Sequence, residues 1–279
     1  MSEEPEKTPD TDQPPEEKLR LGGMALRNGL LVHGPTSWAA AVRTPSGEVR
    51  TASGPKPRVR GPVERVPLAR GAIRLAEAMA VIPLVKRALP EARLPFQDTT
   101  VLGAMAAATL GGAALRRRKA AGPGTEALVA GLSLVPSLIA LRGGELAAYH
   151  GAEHKTIGAY EQDAEDHTKE HDRCGSHLMA PLLASNLAGT AVLKRAVEKP
   201  GPLHGLALSV ASVGVAVEVF AWSERHSDSR AAGLLRRPGH ELQRVIGTRE
   251  PTAAQLEVGR AALAEVLRAE GVGEGAQSG

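Results

Sequence analysis

Four apolar runs constrain the fold of this 279-residue chain more than any other feature of its sequence. They cover residues 99–115, 127–141, 178–193 and 203–222. A helix that crosses a bilayer needs about 20 predominantly apolar residues, and only the last run reaches that length without its flanks. The other three are dominated by Ala, Gly and Ser, a composition that favours helices packed closely through small residues.

The length of these runs leaves two interpretations open. They are either transmembrane helices or core helices of a soluble, all-α protein. The mean hydropathy of −0.15 favours the soluble interpretation, although this average includes a polar tail and charged loops. Basic residues follow two of the runs, at 116–119 and 194–195, and such basic flanks are typical of the ends of membrane helices.

The segments outside the runs complete the predicted domain organisation. The N-terminal segment is rich in Glu, Asp and Pro, and it lacks the basic and apolar regions of a signal peptide, which predicts a cytoplasmic N-terminus. Turn signals at Asn28-Gly29 and at 45–47 predict short strands. Pro83 is predicted to kink an amphipathic helix. Thr252 and Gln255 have the spacing of a capping box at the start of a helix. The predicted units are a disordered tail (1–20), a small β-hairpin unit with its connector (21–70), a helical domain (71–247), an amphipathic C-terminal helix (248–270) and a flexible tail (271–279).

The composition excludes several classes of protein. A single cysteine, Cys174, cannot form an internal disulfide, so the chain is not a disulfide-stapled secreted scaffold. Aromatic residues make up only 2% of the chain, which weakens any case for recognition of nucleic acid by base stacking. Because 34 basic residues face 31 acidic ones, the charge balance does not favour a polyanionic partner.

The most informative part of the sequence is the segment 149–177. Five of the nine histidines lie in it, together with the single cysteine. On a helix, His150 and His154 are four residues apart and share a face, and Glu153 lies at the edge of that face. The string fits the H-x-x-E-H pattern of inverted zincins. Two neutral imidazoles can bind one Zn²⁺, and a neighbouring carboxylate can accept a proton from an activated water molecule.

Three further residues are candidate ligands of the same metal. His171 and Cys174 are three residues apart, and both side chains suit a borderline-soft metal. Together with the two histidines of the H-x-x-E-H string they form either a closed four-ligand structural site or, if one of them does not bind, a site with an open position. Glu218 is a further candidate, because an ionisable side chain in an apolar run is costly and marks a functional site by default.

Each of these residues also has an ordinary structural interpretation. With three fixed positions in five, H-x-x-E-H is a weak pattern by itself. Cys174 is also consistent with a small buried apolar residue, and Glu218 with an ion pair to an arginine such as Arg225. His167 and His177 are interpreted as surface or structural residues. The clustering of the two motif histidines with the cysteine favours a metal site.

At these residues the chain resembles the YqhQ-like family, bacterial membrane proteins described as predicted metal-dependent enzymes. The resemblance covers most of residues 21–268 and is strongest over 149–157, Tyr-His-Gly-Ala-Glu-His-Lys-Thr-Ile, with Tyr160 and Glu161 beyond. The further matches are His171-x-Arg173-Cys174-Gly175, Thr248-Arg249-Glu250-Pro251, Gly22-Gly23, Gly34-Pro35, Arg70-Gly71 and Glu77, with Glu218 where the family usually has a glutamate. The resemblance implies a multi-pass membrane protein with a metal-dependent active site, and it favours the membrane interpretation of the apolar runs.

The chain also departs from the pattern of the family. Met24, Asn28 and His33 stand where the family has Gln, Glu and Arg, and residues 176–178 read Ser-His-Leu instead of Thr-Ser-Phe. If the strand residues contact substrate, these departures predict altered specificity or weaker activity. None of them removes a candidate ligand.

The sequence therefore predicts a mainly α-helical, multi-pass membrane bundle with a small N-terminal β unit and a C-terminal soluble helix. We expect it in the bacterial cell membrane, in contact with lipid and not with nucleic acid, with 143–177 on the cytoplasmic side. The predicted activity is metal-assisted hydrolysis of an unidentified substrate, with zinc as the metal and Glu153 as the general base. The predicted ligands are His150, His154, His171, Cys174 and Glu218. The alternative is a non-enzymatic membrane protein whose structural metal serves assembly or partner binding.

Overall fold

The fold is mainly α-helical and contains a small antiparallel sheet near the N-terminus, as the sequence predicts. The computed structural model describes residues 18–62, 66–117, 123–142 and 144–272. Most of the predicted disordered tail and of the predicted flexible C-terminal tail, at 1–17 and 273–279, lies outside the described residues.

The sheet is a four-stranded meander. Its strands are β1 (Gly22–Leu26), β2 (Gly29–His33), β3 (Ser37–Arg43) and β4 (Val49–Pro55), and each pairs with the next in antiparallel register. Both predicted turn signals lie between strands. The Asn28 side chain binds backbone only: its amide donates to the carbonyls of Arg43 and Glu91, and its oxygen accepts from the Arg93 N–H. Asn28 therefore fastens the β1–β2 turn to the chain that follows the second helix.

Helices cover both faces of the sheet because consecutive residues of β2 and β3 are apolar, and successive side chains of a strand point to opposite faces. On one face Leu30, Val32, Ala39 and Ala41 pack against two helices of the C-terminal half. On the other face, the alternate residues Leu31, Trp38, Ala40 and Val42 pack against residues 81–94. The sheet thus forms the centre of a core that is buried on both sides.

The helices account for most of the remaining chain. Residues 71–89 form two helices and not one kinked helix, because the first ends at Ala80 and the second begins just before Pro83. The helices are α1 (Ala69–Ala80), α2 (Ile82–Ala88), α3 (Thr99–Arg116), α4 (Pro123–Leu141), α5 (Glu145–Gln162), α6 (Met179–Ala196), α7 (Pro202–Arg225), α8 (Arg230–Leu242) and α9 (Ala253–Ala269). The Thr252 hydroxyl caps α9 by accepting from the Gln255 N–H, as the capping-box spacing predicts.

The four apolar runs form α3, α4, α6 and α7, and much of their apolar surface faces outward. Two of these helices, over Gly124–Leu141 and Leu203–Arg225, are long and apolar enough to cross a membrane. Only 11% and 17% of these segments is buried inside the chain, whereas a core helix of a soluble protein is mostly buried. Leu110, Leu203 and Leu206 are each more than half exposed.

Candidate metal centre

The H-x-x-E-H string lies on α5, which carries His150, Glu153 and His154 on adjoining faces. The segment that precedes α9 packs directly against this helix. The Cα of Gly151 lies so close to the Arg249 carbonyl that a Cβ would collide with it, and the Arg249 N–H donates to the Ala147 carbonyl at 2.9 Å. The segment 248–251 therefore fixes the position of α5 just where the two histidines project.

Three side chains that suit a metal meet at this point. One ligand atom from each of His150, His154 and Cys174 lies within 4.8 Å of the others. His154 and Cys174 are buried and His150 is half-buried. Cys174 comes from the loop between α5 and α6, so the centre joins one helix to one loop. The structure thus brings together three of the five residues that the sequence offers as ligands.

Hydrogen bonds to the backbone orient both imidazoles. The Nδ1 atom of His150 lies 2.8 Å from the Gly247 carbonyl, and that of His154 lies 2.6 Å from the Lys169 carbonyl. A carbonyl accepts only, so each Nδ1 carries the proton and donates it, and each Nε2 keeps a free lone pair. The Nε2 of His150 lies 3.3 Å from the Cys174 sulfur, whose thiol donates to it. The Nε2 of His154 is buried and has no hydrogen-bond partner among the described residues.

Burial keeps His154 and Cys174 uncharged in the absence of a cation. Desolvation, with the neighbouring histidines next in size, lowers the pKa of His154 to about 2, and desolvation also raises the pKa of the Cys174 thiol. A neutral imidazole is the form that binds metal, whereas the thiol must lose its proton to do so. A metal held by these three groups would therefore displace the proton of the Cys174 thiol.

Glu153 lies beside the three groups, and its carboxylate is packed against β1. The side chain is 7% exposed and touches the backbone of Gly23, where a Cβ would collide with its Oε1. Desolvation raises the pKa of Glu153 to about 7, although nearby His150 partly opposes this shift. Only a glycine at position 23 leaves room for the Glu153 carboxylate. Through this contact, β1 of the N-terminal sheet borders the centre.

His171 lies near the centre but its ring is bound to other groups. Its ring centroid is 5.6 Å from that of His154. The Nδ1 atom accepts from the Arg173 N–H, and the Nε2 atom lies 3.3 Å from the Glu161 carboxylate. His171 therefore orders the loop that carries Cys174, and it is not one of the three converging groups.

Glu218 lies on α7, away from these residues. Its carboxylate forms a two-pronged ion pair with the Arg70 guanidinium and accepts from the Leu68 N–H. The ion-pair partner of Glu218 is therefore Arg70 of α1, and not Arg225, the arginine that the sequence suggests. The pair joins the start of α1 to α7, and Glu218 is not brought into the centre.

Gln243 is a site residue that the sequence analysis does not identify. It is fully buried at the start of a π-helical turn over Gln243–Gly247, the turn that also supplies the carbonyl for His150. Its amide donates to the His171 carbonyl and to the Ser176 hydroxyl, and its oxygen accepts from the His171 N–H. Gln243 therefore holds His171 and Ser176, which flank Cys174 in the chain. A lone glutamine after an amphipathic helix carries no sequence signal for such a role.

Comparison with known proteins supports the resemblance seen in the sequence. Residues 145–269 match the family model described as "Protein of unknown function (DUF1385)". The "Uncharacterized protein YqhQ" of Bacillus subtilis (strain 168) is 32% identical over 136 residues, which cover 45% of this chain and 42% of that relative. The chain thus matches less than half of the length of this curated relative. No solved structure matches the chain. The resemblance to the YqhQ-like family is confirmed for the part of the chain that runs from α5 to α9.

Proposed function

We propose that this chain, with its YqhQ-like segment over 145–269, is a membrane protein that binds a divalent metal and uses it for hydrolysis. The ligands are His150, His154 and Cys174, and Glu153 is the general base. One observation carries the proposal. Both Nδ1 atoms are committed to backbone carbonyls, so both Nε2 lone pairs point towards the cysteine; that of His150 accepts from the thiol, and that of His154 is buried without a partner among the described residues. An unsatisfied buried nitrogen costs stability unless something binds it.

The donor set and its spacing fit a zinc-like ion. Two imidazole nitrogens and one thiolate suit a borderline-soft metal. In a tetrahedral zinc site, typical bond lengths place a nitrogen and a sulfur ligand about 3.5 Å apart. The 3.3 Å between His150 Nε2 and Cys174 Sγ is close to that value. The two backbone carbonyls supply the support behind each imidazole that metal-binding histidines need.

The residues around this centre have distinct roles in the proposed reaction. A divalent metal, when bound, would supply Lewis-acid activation of water and of the substrate bond. Glu153 accepts the proton of the attacking water and returns it to the leaving group. Its pKa of about 7 makes both steps accessible near neutral pH. Gly23 allows the carboxylate to reach the centre, and the Gln243 amide holds the loop of Cys174.

The number of converging ligands favours an enzyme over a purely structural site. Among the residues that the structure describes, three groups converge, which leaves one tetrahedral position for water and substrate. A closed site is the competing proposal, and the proximity of His171 to His154 is the observation that favours it. Closure would require the His171 ring to leave Glu161 and the Arg173 N–H. A closed structural site, as in the non-enzymatic alternative of assembly or partner binding, therefore costs these two interactions of His171.

The exposed apolar helices support a place in the membrane. α4 and α7 have the length and composition of membrane spans, and only a small share of each is buried in the chain. We propose that α3 and α6 cross the membrane with them, because exposed Leu102, Leu110 and Val192 leave apolar surface on both. In the topology that we propose, with a cytoplasmic N-terminus and two crossings before α5, the metal centre is on the cytoplasmic side, where a free cysteine stays reduced.

The test is metal content. Wild type, His150→Ala/His154→Ala and the control His204→Ala/His226→Ala, whose histidines are exposed outside the centre, are purified from membranes in detergent. Elemental analysis is expected to find about one equivalent of zinc or a similar metal in wild type and control, and none in the first variant. No metal in folded wild type would refute the proposal.

A second variant separates enzyme from structural site. Glu153→Gln keeps the shape of the side chain but cannot act as a base. In an enzyme it retains the metal and loses hydrolysis in a panel of ester, amide and phosphoester substrates that wild type cleaves. Metal-loaded wild type without turnover on such a panel, together with unchanged stability of Glu153→Gln, would favour the structural role.

A further inference from the structure

A second site lies in a crevice between α1, α6, α7 and the residues that precede β1. The cavity has a volume of about 590 Å³. Binding sites for small molecules have typical volumes of about 300–1,000 Å³. Its lining contains none of the three converging groups of the metal centre, although Arg173, the residue before Cys174, contributes to it. The crevice is therefore a separate feature that adjoins the loop of the metal centre.

The polar part of the lining is strongly cationic. Arg20, Arg74, Arg173 and Arg225 contribute four guanidinium groups, against the single carboxylate of Glu224. Arg173 is paired with Glu161. No carboxylate of the described chain lies within ion-pair distance of Arg20, Arg74 or Arg225. These three arginines come from three separate segments, and a crevice that gathers unpaired guanidinium groups attracts an anion.

The rest of the lining is apolar and elongated. Leu182 of α6 and Val213, Val217 and Phe220 of α7 form its wall, and α1 adds Leu75. Along α7 the lining extends from Val213 to Arg225, a helical rise of about 18 Å. The apolar wall thus continues along the α7 segment that has the character of a membrane span, and it ends at the cationic residues.

We propose that this crevice binds an amphiphile whose phosphate headgroup carries a net negative charge, the hydrocarbon chain lying along α6 and α7 and the phosphate against the arginines. A free phosphate would use the guanidinium groups but would leave the apolar wall empty. A neutral lipid would use the wall but would leave the guanidinium groups without an anion. The proposal goes beyond the metal centre and does not depend on it, because none of the proposed ligands lines the crevice.

Binding is measured on the full-length chain in neutral detergent. The probes are dioleoyl phosphatidic acid, dioleoyl phosphatidylcholine and inorganic phosphate, and bound lipid is counted by native mass spectrometry over a concentration series. Arg74→Gln/Arg225→Gln removes charge from the crevice, and Ala221→Phe fills it without changing charge. Arg87→Gln/Arg237→Gln is the matched control, since both arginines are exposed outside the crevice. The His150→Ala/His154→Ala variant is measured in parallel.

Wild type is expected to bind phosphatidic acid at one site, in preference to phosphatidylcholine, and to bind inorganic phosphate at least tenfold more weakly. Loss of one arginine should lower the affinity for phosphatidic acid about fivefold, so the double charge variant should bind it about 25-fold more weakly. The control should bind it like wild type. Ala221→Phe should also lose the lipid. Retention by Ala221→Phe would assign the lipid to the outer surface and overturn the proposal, as would equal binding of phosphatidylcholine. Unchanged binding by the double histidine variant is expected, whatever its metal content.

Discussion

Replacement of Gln243 by Met tests whether the proposed metal centre depends on a residue outside its proposed ligand set. Met has a similar volume, so the substitution leaves no large cavity, but it removes every hydrogen bond of the amide. The His171 N–H loses its acceptor, whereas the His171 carbonyl retains the His177 ring as a partner. The bond to the Ser176 hydroxyl is lost as well.

The size of the effect follows from these contacts. One buried N–H left without a partner costs about 1–3 kcal/mol, and each remaining lost bond costs about 0.5–1.5 kcal/mol. A total of about 2–6 kcal/mol corresponds to a decrease in unfolding temperature of about 5–20 °C for a domain of this size. Loosening of the loop on both sides of Cys174 should also weaken metal binding by about 10–100-fold, the usual effect of removing a group that orients a ligand.

Both quantities are measured in detergent. Zinc affinity is determined by competition with a chromophoric chelator, and unfolding is followed by circular dichroism with and without chelator. Gln162→Met is the control, because Gln162 is exposed at the end of α5. If Gln243→Met binds zinc as tightly as wild type and unfolds at the same temperature, then Gln243 does not hold the loop and our reasoning is refuted.

Three further predictions concern residues outside the ligand set. Gly23→Ala should destabilise the fold by about 1–3 kcal/mol because its methyl group meets the buried carboxylate of Glu153, whereas Gly22→Ala, with open space around it, should stay within about 0.5 kcal/mol in thermal unfolding. Glu218→Gln should leave the metal stoichiometry at the wild-type value, and a proportional loss of metal in elemental analysis would restore Glu218 as a ligand. Burial, with a smaller effect of Lys56, lowers the pKa of His33 to about 4, so the unfolded state binds more protons and stability falls as the pH decreases from about 6.5 to 4. The unfolding temperature of His33→Gln should vary less over that range, and an identical pH profile would contradict this assignment.

The sequence by itself determined the helices and turns, because both depend on residues close together in the chain. The apolar runs, the capping box of α9 and the turn at Asn28 all act within a few residues. The pairing of His150 with His154 belongs to the same class, since a spacing of four places two side chains on one face of any α-helix. Periodicity and local hydrogen bonding are enough to predict these features.

Only the tertiary structure decided which distant groups meet these histidines. Cys174 joins them and His171 does not, although both lie in the same short loop. Glu218 pairs with Arg70, and Gln243 reaches the loop from a turn far along the chain. Such contacts depend on how the helices and the sheet pack. Buried side chains fill space and form hydrogen bonds with residues of other elements, and not only with their neighbours in the chain. The residues next to Glu218 or Gln243 in the chain therefore do not indicate which distant group each of them contacts.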